Sequence, residues 1–257
     1  MLRAGGSPVK LVFLGTRGEI ESRTERHEHH SALLFLHAGR RVMVDCGLDW
    51  LGKVAELAPD AVAVTHAHPD HAGGLRSGAP CPVYATDVAL RAMRRYPIDA
   101  VAIRSRVPVE LAGLRFEAFA VEHSLRAPAV GYRVSDGMTT VFYVPDVVMI
   151  REQSEALYGL QLYVGDGASL RRPIIRRRDG ALIGHASIRA QLGWCATEGV
   201  PRAIFTHCGS QLVRGDAEAL VAEVAAMGVE RGLRAEIAYD GLQLDLDWQR
   251  PGSRRNP

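Results

Sequence analysis

Three histidines and an aspartate fall within six consecutive positions of the segment "VTHAHPDHAGG". His66 and His68 follow the apolar run "AVAV", and residues two apart in an extended chain project to the same side. The next residue is a proline, which bends the chain, so Asp70 and His71 emerge in a new direction. Imidazole and carboxylate groups bind Zn²⁺, Mn²⁺ or Fe²⁺. The spacing therefore predicts a segment that serves two adjacent metal centres, and the alternative is a polar surface loop.

A catalytic metal site needs more ligands than one segment supplies. Three further candidates each come directly after an apolar run: His123 after "FEAFAVE", Asp146 after "TTVFYVP" and His207 after "RAIFT". His123 taken alone is equally compatible with a surface histidine. Because ligands at the ends of several strands converge at one edge of a sheet, the recurring context predicts that all three complete the site.

The elements that must position these residues are mostly strands. Their order, with helices after each β-rich half, predicts an α/β protein in which two sheets pack face to face with helices outside. Asp216 is expected to cap the last helix, and Gly228 and Gly232 are expected to mark its end. Helices are predicted at 87–96, 186–199 and 216–232, with a short helical turn after the histidine segment. Strands are predicted at 10–15, 31–39, 40–47, 61–66, 82–86, 114–123, 129–135, 139–146, 160–166, 202–207, 234–241 and 242–248.

The composition is that of a globular protein, with 47% hydrophobic and 23% charged residues among 257. We expect one large domain over 1–248 and a disordered tail over 249–257. The net charge of +2 does not argue for nucleic acid or membrane as a partner. Four cysteines without a CxxC pair, and no apolar run long enough for a signal peptide or a membrane span, favour a cytoplasmic protein with reduced thiols.

Charge is concentrated in the segment "LRRPIIRRRDG", which holds Arg171, Arg172, Arg176, Arg177 and Arg178. Two interpretations stay open for this segment. It is either a solvated loop or an edge that binds an anionic substrate through its guanidinium groups.

The motif "THAHPDH" and the order of the following His, Asp and His residues resemble the metallo-β-lactamase superfamily, from about residue 10 to residue 246. The resemblance implies an αββα sandwich of two mixed β-sheets, with helices on the outer faces and a dinuclear site at the sheet edges. It also implies that Asp45, in "VMVDCG", supports the site from behind the ligands. The implied ligands are His66, His68 and His123 for one ion, Asp70, His71 and His207 for the other, and Asp146 for both.

Within the superfamily, "VEHSLRAPAVGYRV" and "GHASIRAQL" resemble the phosphodiesterase branch that contains tRNase Z and PhnP-type proteins. That resemblance implies that His185 contacts the substrate phosphate and protonates the leaving group. Asp166 would then orient His185 or a metal ligand, or would simply form a turn before Gly167. Arginines 176–178 are candidates for binding phosphate oxygens.

Two departures from this branch stand out. Only 22 residues separate His123 from Asp146, which leaves no room for the long tRNA-binding arm of tRNase Z. The cysteine-rich zinc loop of PhnP-type proteins is replaced by a segment with His27, His29 and His30. These three histidines hold an extra ion, line the substrate pocket or belong to a plain charged loop.

The sequence thus predicts a hydrolase with two divalent ions, Zn²⁺ or Mn²⁺, with Fe²⁺ as a further option. The favoured activity is hydrolysis of a small or cyclic phosphodiester by a metal-activated hydroxide, which Asp146 and Asp70 hold, with His185 as the acid. The alternatives are hydrolysis of another ester, thioester or lactam, a single-strand nuclease, and a non-catalytic PqqB-like binding protein. A small anionic substrate is the expected partner, with nucleic acid less favoured and a homodimer left open.

Overall fold

Two mixed β-sheets dominate the computed structural model, which describes residues 8–246. In the first sheet, neighbouring strands are antiparallel at one side and parallel at the other. In spatial order this sheet contains β17 (Gln243–Leu246), β1 (Val9–Gly15), β2 (Ala32–His37), β3 (Arg40–Val44), β4 (Ala61–Ala63), β5 (Val83–Thr86) and β6 (Ala100–Ile103).

The second sheet has the same plan and is formed by strands between residues 109 and 237. It too passes from antiparallel to parallel pairing, and the change falls at its fourth strand. In spatial order it contains β11 (Met149–Ile150), β8 (Leu114–Glu122), β9 (Ala129–Ser135), β10 (Thr140–Tyr143), β12 (Leu162–Asp166), β15 (Arg202–Thr206) and β16 (Arg234–Ile237), and β7 (Val109–Leu111) pairs with β8.

The two sheets pack against each other through apolar side chains that alternate along the strands. Val42 and Val44 of β3 join the core between the sheets, whereas Met43 faces the outer layer. In the second sheet, Tyr143 lies in the same central core and Phe142 faces outward. Because both faces of each sheet are covered, the central strands are apolar at nearly every position.

Helices cover the outer face of each sheet. Helix α2 and several 3₁₀ turns pack on the first sheet, and α3 to α6 pack on the second. The α-helices are α1 (Pro69–Ala72), α2 (Asp87–Ala92), α3 (Gln153–Leu157), α4 (Ile188–Thr197), α5 (Ser210–Arg214) and α6 (Ala217–Val229). None of the helices in residues 8–246 is long and apolar enough to cross a membrane.

The predicted αββα sandwich is confirmed, and all twelve predicted strands are present, most of them with shifted ends. Asp216 caps α6 as expected by accepting hydrogen bonds from the next turn. Gly228 does not end that helix, because it lies inside it, where a Cβ atom would come within 2.6 Å of Ala235. The expected tail over 249–257 lies outside the described residues.

The sequence prediction missed several short elements and one hairpin. The hairpin pairs β13 (Ile174–Arg178) with β14 (Ala181–His185) and joins neither large sheet. The segment of the five arginines is therefore in part a β-ribbon and not a loop. Its turn is Asp179-Gly180, with positive φ at both residues, as a two-residue type I′ turn requires.

A side-chain hydrogen bond joins the two sheets close to the histidine segment, beside the backbone bond from the NH of Val130 to the carbonyl oxygen of Thr65. The buried hydroxyl of Tyr132 donates to the carbonyl oxygen of Val64 at 2.8 Å. We predict that Tyr132→Phe lowers the free energy of unfolding by about 1 kcal/mol, because a buried carbonyl loses its partner. Urea denaturation of the metal-depleted protein measures this change. Tyr158→Phe, at a side chain that is 78% exposed, is the matched control, and equal stabilities of the two variants would contradict the prediction.

Candidate metal centre

The carboxyl ends of strands from both sheets meet at one edge of the sandwich. This edge brings together every histidine and aspartate that the sequence singled out as a metal ligand. His66, His68, Asp70 and His71 follow β4, His123 follows β8, Asp146 follows β10 and His207 follows β15.

Three imidazoles form the first group. Nε2 of His66 lies 3.0 Å from Nδ1 of His68, which in turn lies 3.4 Å from Nε2 of His123. Nitrogens bound to one Zn²⁺ in tetrahedral geometry lie roughly 3.4 Å apart, given Zn–N distances near 2.1 Å. Nδ1 of His123 donates to the carbonyl oxygen of Gly184 at 3.0 Å, which leaves Nε2 unprotonated and directed at the group.

Asp70, His71 and His207 form the second group. Nε2 of His71 and Nε2 of His207 lie 3.1 Å and 3.2 Å from the same Asp70 oxygen. Asp146 lies between the two groups, since its oxygens are 2.8 Å from Nε2 of His71 and 3.5 Å from Nε2 of His123. One carboxylate is thus within reach of ions held by either group.

Asp45 sits behind the second group and fixes one ligand. It accepts a hydrogen bond from Nδ1 of His71 at 2.9 Å and another from the backbone of Thr65 at 2.8 Å. Because Nδ1 of His71 donates to Asp45, Nε2 is the atom that faces the site. Such carboxylate partners orient metal-binding histidines and raise their basicity.

Two residues of this edge adopt the left-handed backbone conformation, Asp45 with φ of 64° and His207 with φ of 53°. This conformation costs non-glycine residues about 1–3 kcal/mol and persists only where the surroundings enforce it. Both strands therefore turn sharply at the point where they deliver a side chain to the cluster.

The segment 16–31 holds His207 in position from the other side. The backbone of Cys208, next to His207, exchanges hydrogen bonds with Thr16 at 2.7 Å and Gly18 at 3.0 Å. The buried Arg17 anchors this segment through an ion pair with Asp49 at 2.7 Å.

His27 and His30 are buried within that network, whereas His29 is only partly buried. Nδ1 of His27 lies 2.8 Å from the hydroxyl of Thr16, and the backbone of His30 donates to Asp49 at 2.8 Å. His29 donates its backbone NH to Asp240 at 2.9 Å. None of the three lines the cavity in front of the cluster. The expectation of a charged loop fits the exposed charged residues between Glu19 and Glu28, but the side chains of His27 and His30 are buried inside the fold.

His185 lies at the rim of the cluster, on the last position of β14. Its Nδ1 is 2.8 Å from Asp166, which also accepts hydrogen bonds from the backbone of Val147 and Ala168. Asp166 thus contacts His185 and also forms the turn before Gly167. Burial disfavours the charged imidazole, but Asp166 outweighs it and raises the pKa of His185 to about 9.

The electrostatics of the cluster favour bound cations. Burial raises the pKa of a carboxyl, yet neighbouring imidazoles hold the pKa values of Asp70 and Asp146 well below the usual range. Burial lowers the pKa of His66 far below its ordinary value and that of His68 to about 4. Neutral imidazoles and ionised carboxylates are the forms that bind metals, so His71, whose pKa the neighbouring carboxylates raise well above its ordinary value despite its burial, would lose its proton on binding one.

Unpaired buried atoms provide an independent test of whether a metal fits. Nε2 of His71 and Oδ2 of Asp146 are only 2.8 Å apart, but neither has a hydrogen-bond partner of acceptable geometry among the described residues. Buried polar atoms without partners are costly. Because both atoms point into the same space, a divalent cation there would satisfy them, and the donor set fits one.

A cavity of about 680 Å³ opens in front of the cluster. His68, His123 and His185 line it, whereas His66 and His71 lie fully buried behind it. Arginines 176–178, which were expected as candidates for binding substrate, do not line this cavity, because the hairpin carries them outward into solvent.

Sequence reasoning missed two supporting residues. The hydroxyl of Thr65 donates to Asp45, and the side chain of Gln191 bonds the backbone of Asp166 on both its NH and its carbonyl oxygen. A polar residue directly after a buried strand was the available signal for Thr65. For Gln191 the signal was a polar residue on the apolar face of a predicted helix.

The contact between Asp45 and His71 leads to a prediction about metal affinity. Asp45→Asn keeps the shape of the side chain but removes its charge, so we expect metal affinity to fall roughly 10- to 100-fold. Competition with a chromophoric chelator measures this affinity. Asp60→Asn, remote from the cluster, serves as the control. Unchanged metal affinity in Asp45→Asn would contradict the role of Asp45 in orienting His71 for metal binding.

Comparison with known proteins shows the family. The model of the β-lactamase superfamily domain matches residues 40–208. Ribonuclease Z of Kineococcus radiotolerans is 32% identical over an alignment of 158 residues, and the match covers 51% of this chain and 48% of that protein. The match thus spans about half the length of this relative.

Two solved structures are similar over nearly the whole chain. A diphosphatase from the PhnP family has a TM-score of 0.70 at 19% identity, covering 93% of this chain and 97% of that one. Zn²⁺-bound PqqB from Methylobacterium extorquens has a TM-score of 0.71 at 18% identity, covering 92% of this chain and all of that one. Identities this low establish the shared fold alone. With the family match and the fold together, the chain belongs to the β-lactamase superfamily and has the metallo-β-lactamase fold.

Proposed function

We propose that this protein is a phosphodiesterase that uses two divalent ions to hydrolyse small phosphodiesters. The proposed ligands are His66, His68 and His123 for one ion, Asp70, His71 and His207 for the other, and Asp146 for both. The observation that carries the phosphodiesterase assignment is the position of His185, which Asp166 holds at 2.8 Å on the rim of the cavity.

Divalent ions, when bound, polarise a phosphoryl oxygen and activate a water molecule for attack. Zn²⁺ and Mn²⁺ both suit the nitrogen and oxygen donors present, with Fe²⁺ as a further option. The carboxylates of Asp70 and Asp146 can accept hydrogen bonds from the attacking water and so orient it towards phosphorus.

The leaving oxygen needs a proton, and His185 is placed to give one. Its Nδ1 proton is committed to Asp166, so Nε2 is the atom available to the cavity. A protonated Nε2 would donate to the departing alkoxide, while the Asp166 carboxylate stabilises the imidazolium until transfer. Asp166 is fully buried and Gln191 fixes its backbone, so the imidazole has a fixed orientation before substrate arrives.

The family relatives support this proposal at the level of chemistry. Among the similar proteins are a ribonuclease and a diphosphatase, which are both named for phosphate-containing substrates. The similarity to PqqB leaves a non-catalytic binding protein as the alternative that an activity assay must test. Turnover of any substrate by the metal-loaded protein would exclude it.

One observation favours a second candidate function. Apolar side chains such as Ile20 and Ile174 line the cavity, and no lysine or arginine of the described residues does so. Such a lining also suits a neutral ester, thioester or lactam. A hydrolase of that kind would use the same ligands and leave His185 without a substrate phosphate to contact.

Leaving groups of different basicity test the role of His185. We predict that His185→Ala lowers kcat about 10²- to 10⁴-fold on 2′,3′-cyclic nucleotides, whose alkoxide leaving group needs a proton. The loss should be small on bis(p-nitrophenyl) phosphate, because p-nitrophenolate departs without one. Steady-state rates on both substrates, with Mn²⁺ or Zn²⁺ added, measure the difference.

The metal content of the His185→Ala protein must match that of the wild type for this comparison. Equal losses on the two substrates would contradict a role in leaving-group protonation. If the wild type hydrolyses neither phosphodiester with any metal but cleaves a thioester or a lactam, the phosphodiesterase proposal is wrong.

A further inference from the structure

A second cleft, of about 420 Å³, lies beside the metal cluster. Its walls come from the loop that follows His123 and from the β13–β14 hairpin, and they include Arg126 and Arg178. The two walls are tied together at their base, where the NH of Gly184 donates to the carbonyl oxygen of His123 at 2.9 Å. The cleft therefore starts next to a candidate metal ligand.

One face of the hairpin connects this cleft with the main cavity. The paired residues Ile174 and His185 line the cavity, and the pair nearest the turn contains Arg178. Because side chains alternate along a strand, Ile174, Arg176 and Arg178 project from the same face, while Arg177 projects from the other. The same face thus leads from His185 outward to the arginine of the cleft.

The charge of this cleft is poorly neutralised by the protein itself. Arg126 has no ion-pair partner in residues 8–246, and Arg178 has only Asp179, at 3.7 Å. Both arginines are exposed, and the one ion pair with which an anion would compete is that of Arg178 with Asp179, which also lines the cleft. Two arginines facing one cleft match the chemistry of a phosphate group.

We propose that this cleft binds a second phosphate group of the substrate, while the first undergoes hydrolysis at the metal cluster. This inference rests on the proposed phosphodiesterase function and adds a substrate class to it. Favoured substrates carry two phosphates, as in a nucleoside bisphosphate ester or a short oligonucleotide. The arrangement supplies the basic residues that the main cavity lacks.

Matched chromogenic esters test the proposal. We use thymidine 5′-(p-nitrophenyl phosphate) with and without a 3′-phosphate, and the isomeric 3′-ester with and without a 5′-phosphate. In at least one pair, the second phosphate should raise kcat/KM of the wild type roughly tenfold or more, and it should act mainly through KM.

Variants assign that gain to the cleft. Arg126→Ala and Arg178→Ala should each remove most of the gain and leave the single-phosphate ester unaffected. Arg177→Ala removes the same charge from the opposite face of the same hairpin, so it should keep the gain. Asp179→Asn preserves a turn-forming Asn-Gly pair while removing the acidic group, and it should enlarge the gain.

Each outcome decides a separate point. Absence of a gain in both pairs, or equal losses in Arg126→Ala and Arg177→Ala, would overturn the cleft proposal while single-phosphate turnover still supports the phosphodiesterase. If the wild type hydrolyses none of the esters, the phosphodiesterase proposal fails. Calorimetry then tests the cleft alone by comparing the affinity for thymidine 3′,5′-bisphosphate with the affinities for the thymidine monophosphates. Equal affinities would overturn the cleft proposal.

Oligothymidylates of increasing length distinguish the two sources of a second phosphate. A gain that is complete with two phosphates indicates a small nucleotide. A gain that grows with each added nucleotide, and that falls steeply with salt, indicates a single-stranded nucleic acid.

Discussion

Four carboxylates, Asp45, Asp70, Asp146 and Asp166, are buried together at one edge of the sandwich. Their ionisable partners there are imidazoles, and no lysine or arginine among the described residues forms an ion pair with them. Burying ionised groups is costly unless positive charge compensates them. The need for compensating positive charge is consistent with the imidazoles around these carboxylates, and Asp45 and His207 reach this edge through left-handed backbone conformations.

The sequence allowed accurate prediction of the fold and of the residues that meet at this edge. The reason is that the residues of the site directly follow the apolar runs that mark the strands, as His66, His123 and His207 do. Strands that are covered on both faces appear in the sequence as continuous apolar runs. Polar residues can gather where these strands end. The assignment of these residues as metal ligands remains a proposal.

Features that depend on distant partners could not be predicted. Examples are the ion pair of Arg17 with Asp49 and the contacts of Asp240 with segment 16–31. These contacts join residues far apart in the chain, so no local sequence pattern predicts them. The β13–β14 hairpin was missed because "IIRRR" lacks strand alternation, although the Asp179-Gly180 pair was a usable turn signal. That hairpin links His185 to the cleft for which we propose a second phosphate.

Anomalous diffraction from crystals of the Mn²⁺- or Zn²⁺-loaded protein tests the central claim most directly. We predict two peaks about 3.5–4 Å apart. One should lie among His66, His68 and His123 and the other among Asp70, His71 and His207, with Asp146 in contact with both. A single peak, or ions bound away from these residues, would contradict the account.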